Sequence, residues 1–165
     1  MGLAHFAYAY PDKSYKKCIK TMKLALKNHP YLTYEADIYY HLGLAYCREE
    51  KFEKSIFPFS RCIEKIPSDL RYIHERAKAF QMIDEHEKAV ADFNIVIKKN
   101  SKNAHAHFRR AFSLKALKRY AESVDDFERA RTLDPMNPAL VVNYKKLKGV
   151  DCIVLCQPGM EKEFK

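Results

Sequence analysis

A chain of 165 residues with 47% hydrophobic residues and a net charge of +9 is long enough for one domain with a continuous core, and too apolar to be a disordered polycation. Four glycines and seven prolines suit helices joined by short loops. No apolar run approaches the ~20 residues that span a bilayer, and the opening MGLAHFAYAY lacks the basic start and long apolar core of a secretory signal.

In chain order, residues 2–10 read as a short helix stopped by Pro11. Asp12 and Ser14 are candidate N-caps for a helix over 13–28. In that helix Lys13, Lys16, Lys17, Lys20, Lys23 and Lys27 fall largely on one face. Tyr15, Cys18, Ile19, Met22, Ala25 and Leu26 fall on the other. Residues 1–34 carry six lysines against one aspartate, so much of the positive excess is local. Met1-Gly2 begins like a myristoylation signal, a reading that Phe6 weakens by standing where Ser or Thr belongs. Apolar periodicity then predicts helices over about 36–49, 52–65, 70–83, 86–99, 104–117 and 120–133. Pro58 lies past the first turn of its helix and is expected to kink it. Asn137-Pro138 is an N-cap followed by a helix-start proline, opening a helix over 138–148 that Gly149 ends. Its Lys145, Lys146 and Lys148 make it polar outward, as a capping helix should be. Residues 149–165 leave the pattern.

The six helices between residues 36 and 133 repeat with a period of thirty-four residues. Counting from Ala36, Leu70 and Ala104, the seventh and eighth positions are Leu42-Gly43, Arg76-Ala77 and Arg110-Ala111. The eleventh are Tyr46, Phe80 and Leu114. The twentieth are Ser55, Ala89 and Ser123, and the twenty-fourth Phe59, Phe93 and Phe127. The twenty-seventh are Cys62, Val96 and Ala130, and the thirty-second Pro67, Ser101 and Pro135. Small residues at eight and twenty let two antiparallel helices approach closely. The large apolar residues fill the space between them, and proline ends the second helix. This combination resembles the tetratricopeptide repeat (TPR) family. The resemblance implies an all-α, TPR-like superhelical solenoid of antiparallel helix pairs with a C-terminal capping helix. Its units would be 36–69, 70–103 and 104–137, with a degenerate or partial first repeat over 1–35, the cap over 138–148 and a tail over 149–165. Tyr15, Cys18, Met22, Ala25 and Pro30 match positions 17, 20, 24, 27 and 32, whereas the helix before them does not align without a gap.

No nucleotide-binding, esterase or zinc-protease signature is present, and no enzymatic activity or cofactor is expected. His105 and His107 are two residues apart on a helix and cannot share a metal as i,i+4 ligands would. Cys152 and Cys156 have no nearby His partner, so no metal site is expected there. An odd cysteine count without a signal favours a reducing, cytoplasmic compartment. The resemblance implies a protein–protein interaction module, a scaffold or adaptor, that binds in a groove lined by positions 2, 5, 9, 12 and 13 of the first helices. Candidate binding residues there are Tyr40, Arg71, His74, Lys78, His105, Phe108, Phe112 and Lys115. Cations beside aromatics suit an acidic peptide that also carries apolar side chains. The Hsp70/Hsp90-type clamp on a C-terminal carboxylate is not expected, because its five positions are Tyr40, Leu44, Glu75, His105 and Arg109 here, and Arg109 alone fits. The alternative partner is RNA, through the basic N-terminal helix. Its lysine face lacks interleaved exposed aromatics for base stacking.

Overall fold

The computed structural model describes residues 15–28 and 34–136. They form seven helices and no strand: α1 (Lys16–Asn28), α2 (Glu35–Arg48), α3 (Phe52–Lys65), α4 (Leu70–Met82), α5 (His86–Lys99), α6 (Ala104–Ala116) and α7 (Tyr120–Leu133). The fold is an all-α array of helix hairpins, and each predicted helix within the described residues is present. The expected helices over 2–10 and 138–148, and the 149–165 tail, lie outside the described residues. Two compact units, residues 1–95 and 96–165, divide the chain inside α5.

The helix ends follow from local chemistry. The Asp69 carboxylate accepts from the Arg71 N–H (3.0 Å) and caps α4; the Asn103 amide oxygen accepts from the Ala106 N–H (3.0 Å) and caps α6. The first helix of each hairpin ends in the same left-handed turn. Glu50, Asp84 and Lys118 have φ of 57°, 60° and 61°, and they lie thirty-four residues apart. Behind them the N–H of Lys51, Glu85 and Arg119 donates to the carbonyl of Tyr46, Phe80 and Leu114, at 2.9, 3.0 and 2.9 Å. This is the Schellman pairing, here built three times without glycine. Helix α3 continues through Pro58, whose ring is buried.

In the first unit, α1 packs Cys18, Ile19 and Met22 against Ile38, Leu42, Ala45 and Tyr46 of α2. Helix α3 packs on α2 through Phe59, which is 0% exposed. Gly43 faces that ring so closely that a Cβ there would lie 2.5 Å from Phe59 Cε1. The Cys62 thiol donates to the Ala36 carbonyl across the same contact (3.2 Å), and Lys65 Nζ meets Glu35 at 2.6 Å. Burial pushes the Cys62 thiol up to about 12. Between α4 and α5, Arg76 donates to both carboxylate oxygens of Asp92 (2.8 and 2.7 Å) and to Ser60 Oγ of α3 (3.1 Å).

In the second unit, α6 and α7 close over Phe127 and Ala111. The Ser123 hydroxyl donates to the Ala111 carbonyl at 2.8 Å, the close approach that a small residue at that position permits. Arg110 donates to Asp126 through Nε (2.6 Å) and Nη2 (2.7 Å). His107 completes the group, with Nδ1 2.8 Å from Asp126 Oδ1 and Nε2 3.2 Å from the Ser101 carbonyl.

Candidate functional site

The eight candidate residues project from the first helices of the hairpins. Four lie in each unit, and each set is described by itself. In the first unit Tyr40 of α2 is half-buried, its ring centroid 5.3 Å from that of Tyr72 and 6.2 Å from that of Phe59. Burial pushes its hydroxyl up from the ordinary tyrosine range, with the Glu75 charge adding to the effect. The Arg71 guanidinium lies over both tyrosine rings, 5.9 Å from Tyr40 and 5.8 Å from Tyr72. Its Nε and Nη2 grip the carboxylate of Asp69, the residue that caps the same helix. That pairing raises the arginine and holds the Asp69 carboxyl below the usual carboxylate range. About two turns along α4, Lys78 Nζ donates to both oxygens of Glu75 (3.0 and 2.8 Å). His74 sets its ring edge-on to Phe93, 5.5 Å between centroids.

This set is therefore more aromatic than cationic. Arg71 and Lys78 each have a carboxylate already in place, so an incoming acid must compete with Asp69 and Glu75. Sequence reasoning missed both neutralising pairs. The signal was present at short range: Asp69 is two residues before Arg71, and Glu75 is three before Lys78.

In the second unit Phe108 and Phe112 stand one turn apart on α6, 5.0 Å between centroids and nearly perpendicular at 88°. Both also meet the buried Phe127 ring edge-on, at 5.6 and 5.3 Å. The two rings are half-buried rather than freely exposed, because one side of each roofs Phe127. His105 sits edge-on to Phe108 at 6.3 Å, itself exposed. Lys115 is exposed and, among the described residues, makes no ion pair. The arrangement offers one open aromatic flank with an exposed cation one turn beyond it.

The thiol of Cys47, at a groove position on α2, is pushed up by burial and so carries little thiolate. Among the described residues no three His, Cys, Asp or Glu side chains come together to hold a metal ion. No helix among them is long and apolar enough to cross a membrane.

Comparison with known proteins follows the same lines. The family model for the tetratricopeptide repeat matches residues 104–137. The chain is similar to the small glutamine-rich tetratricopeptide repeat-containing protein 2 of Mycosarcoma maydis, 30% identical over 86 residues. That match takes in 52% of this chain and spans 24% of the length of the fungal protein. The first TPR of Spaghetti (RPAP3) bound to the HSP90 peptide SRMEEVD is similar with a TM-score of 0.66 at 23% identity, covering 70% of this chain and 91% of that one. The MamA RS-1 ArsTM double mutant is similar with a TM-score of 0.78 at 11% identity, covering 90% and 79%. At these identities the two solved structures share the fold.

Proposed function

We propose that this chain, a tetratricopeptide repeat protein, acts as a non-enzymatic protein–protein interaction module that takes a peptide segment on the first-helix faces of its hairpins. The half-open Phe108 and Phe112 flank is the observation that carries the reading. Half-buried aromatic rings held rigidly by a core ring lose little freedom when a ligand covers them, which makes them suitable anchors. The ligand's apolar side chains would cover that flank. Its acidic groups would meet Lys115 there. Among the described residues Cys18, Cys47 and Cys62 form no disulfide, in keeping with a reducing, cytoplasmic setting for such a scaffold or adaptor.

A photo-crosslinking residue placed at Lys115 or Lys78 should capture a protein partner, and one placed at the exposed Lys98 of α5 should not. Capture from Lys98 alone, or capture that nuclease abolishes, overturns the proposal. Lys115→Glu should weaken an acidic partner by several-fold and flatten its salt dependence, because the cation both attracts and is screened. The carboxylate-clamp positions Tyr40, Leu44, Glu75, His105 and Arg109 support a different ligand geometry from a C-terminal clamp, with Glu75 already committed to Lys78. The peptide SRMEEVD is accordingly expected not to saturate this chain in a titration, and saturable binding would place a clamp here after all.

A further inference from the structure

Two described helices lack an acid, α6 and α1: α6 has three cations, of which Arg110 is held by Asp126, and α1 has five lysines. Its thirteen residues, KKCIKTMKLALKN, include no acid, and Lys16, Lys17, Lys20, Lys23 and Lys27 are all exposed. Among the described residues none of the five makes an ion pair. Elsewhere in the same unit Lys51, Lys65, Arg71, Arg76, Lys78 and Lys88 each hold a carboxylate. Lys16, Lys20, Lys23 and Lys27 fall in one row about 16 Å long, at spacings of three and four residues. Neighbours in that row repel one another, so the helix holds this face against its own local preference. Lys23 leans back over the Tyr46 ring of the core, 5.5 Å from its centroid, and Lys16, Lys20 and Lys27 leave the flank beside Cys18, Ile19 and Met22 exposed and positive.

Leu24 interrupts it. Its side chain is 55% exposed and lies on the lysine face, four residues from Lys20 and three from Lys27, rather than with the buried row. Every cation on the helix is lysine, with no arginine to fork onto a phosphate and no exposed aromatic to stack on a base. A single apolar side chain ringed by point charges complements an acidic surface with an apolar side chain at its centre. We propose that the lysine face of α1 docks an acidic protein segment whose apolar side chain covers Leu24. The occupant is distinct from the ligand of the first-helix faces, and the proposal does not rest on that reading.

The test uses the full chain and three fluorescent probes: a helical peptide with glutamates around one leucine, a uridine oligonucleotide, and vesicles of phosphatidylcholine with phosphatidylserine. Anisotropy or co-sedimentation should show binding of the peptide that weakens about tenfold in K16Q/K20Q/K23Q/K27Q, and that falls as salt rises. Leu24→Ser should weaken it several-fold while leaving the salt dependence intact. Circular dichroism should show both variants folded, since all five positions are exposed. Should the fourfold variant not fold, the pairs K16Q/K20Q and K23Q/K27Q replace it. Absence of peptide binding, or equal binding by the lysine variants, overturns the proposal. So does tighter binding of the oligonucleotide or the vesicles with indifference to Leu24→Ser, which would mark a phosphate-binding face.

Discussion

In the α2/α3 hairpin the seventh and twenty-third repeat positions are Leu42 and Pro58, both buried. In the α6/α7 hairpin the same positions are Arg110 and Asp126, joined by two short hydrogen bonds and joined again by His107. The α4/α5 hairpin sides with the latter through Arg76 and Asp92. The comparison extends to the eighth position, where Gly43 faces Phe59 and Ala111 faces Phe127. At these positions one hairpin thus closes over an apolar contact, and the other over a buried charged group. The two solutions differ in fragility. An apolar contact loses what is cut away, whereas a buried ion pair that loses one member leaves the other charged and unsolvated.

The largest expected effect tests that asymmetry. Asp126→Ala should destabilise the protein by about 3–5 kcal/mol in chemical denaturation, because Arg110 and His107 both lose their carboxylate. Replacing Arg76 and Asp92 together by leucine, which copies the apolar solution of the α2/α3 hairpin, should be near neutral or stabilising by about 1–4 kcal/mol. A double variant as damaged as Asp92→Ala alone would mean that the pair does more than close the hairpin. Phe59→Ala and Phe127→Ala probe the shared part of the two hairpins. Each should cost about 3–5 kcal/mol, and a loss below roughly 1 kcal/mol at either would break the equivalence.

Smaller effects follow at the closest approach. Gly43→Ala should cost about 1–3 kcal/mol, since the buried Phe59 ring has to shift to admit the methyl group. Thermal melts should show no comparable loss for Ala111→Gly beyond the ~1 kcal/mol of helix propensity. The Cys62 thiol adds a pH signature to the α2/α3 hairpin. Burial raises it to about 12, and its proton is the one donated to the Ala36 carbonyl. The raised value means that its stabilising contribution is complete below the unfolded-state pKa of about 8.5 and is lost as pH climbs toward 12. Denaturation midpoints measured from pH 8 to pH 10.5 should fall more steeply for the natural chain than for Cys62→Ala.

Much of this was legible in the amino-acid order. The twenty-fourth position demanded large residues, and Phe59, Phe93 and Phe127 are indeed 0%, 0% and 1% exposed. Ser55 and Ser123 were chosen for size, and their burial agrees. The charged closure was not read, although the signal lay in the columns. Arg occurs at position seven only where Asp occurs at position twenty-three, and the hairpin without one lacks the other. A pair sixteen residues apart falls outside the i,i+3 and i,i+4 rules, so helix-face reasoning passes over it. The candidate site was legible as a row of positions, not as an electrostatic surface. Burial patterns place Phe108 and Phe112 on one face of α6, but only coordinates show Phe127 taking half of each ring. The neutralisation of Arg71 by Asp69 was signalled by their two-residue spacing, but that one carboxylate both caps α4 and grips the guanidinium follows from the geometry.

The three left-handed turns bear on the handedness of the backbone itself. Glu50, Asp84 and Lys118 share one conformation while differing in length and sign of charge, so side-chain chemistry does not select it. What opposes it is the configuration at Cα, which for an L-residue crowds Cβ against the following carbonyl at a cost of roughly 1–2 kcal/mol. A D-amino acid finds the same dihedral angles in its own preferred basin. A chain assembled by chemical ligation with D-lysine at position 118 would keep every atom type and charge of the turn and reverse one stereocentre. Such mirror-image turns would separate the strain of the hairpin corner from everything its side chain does.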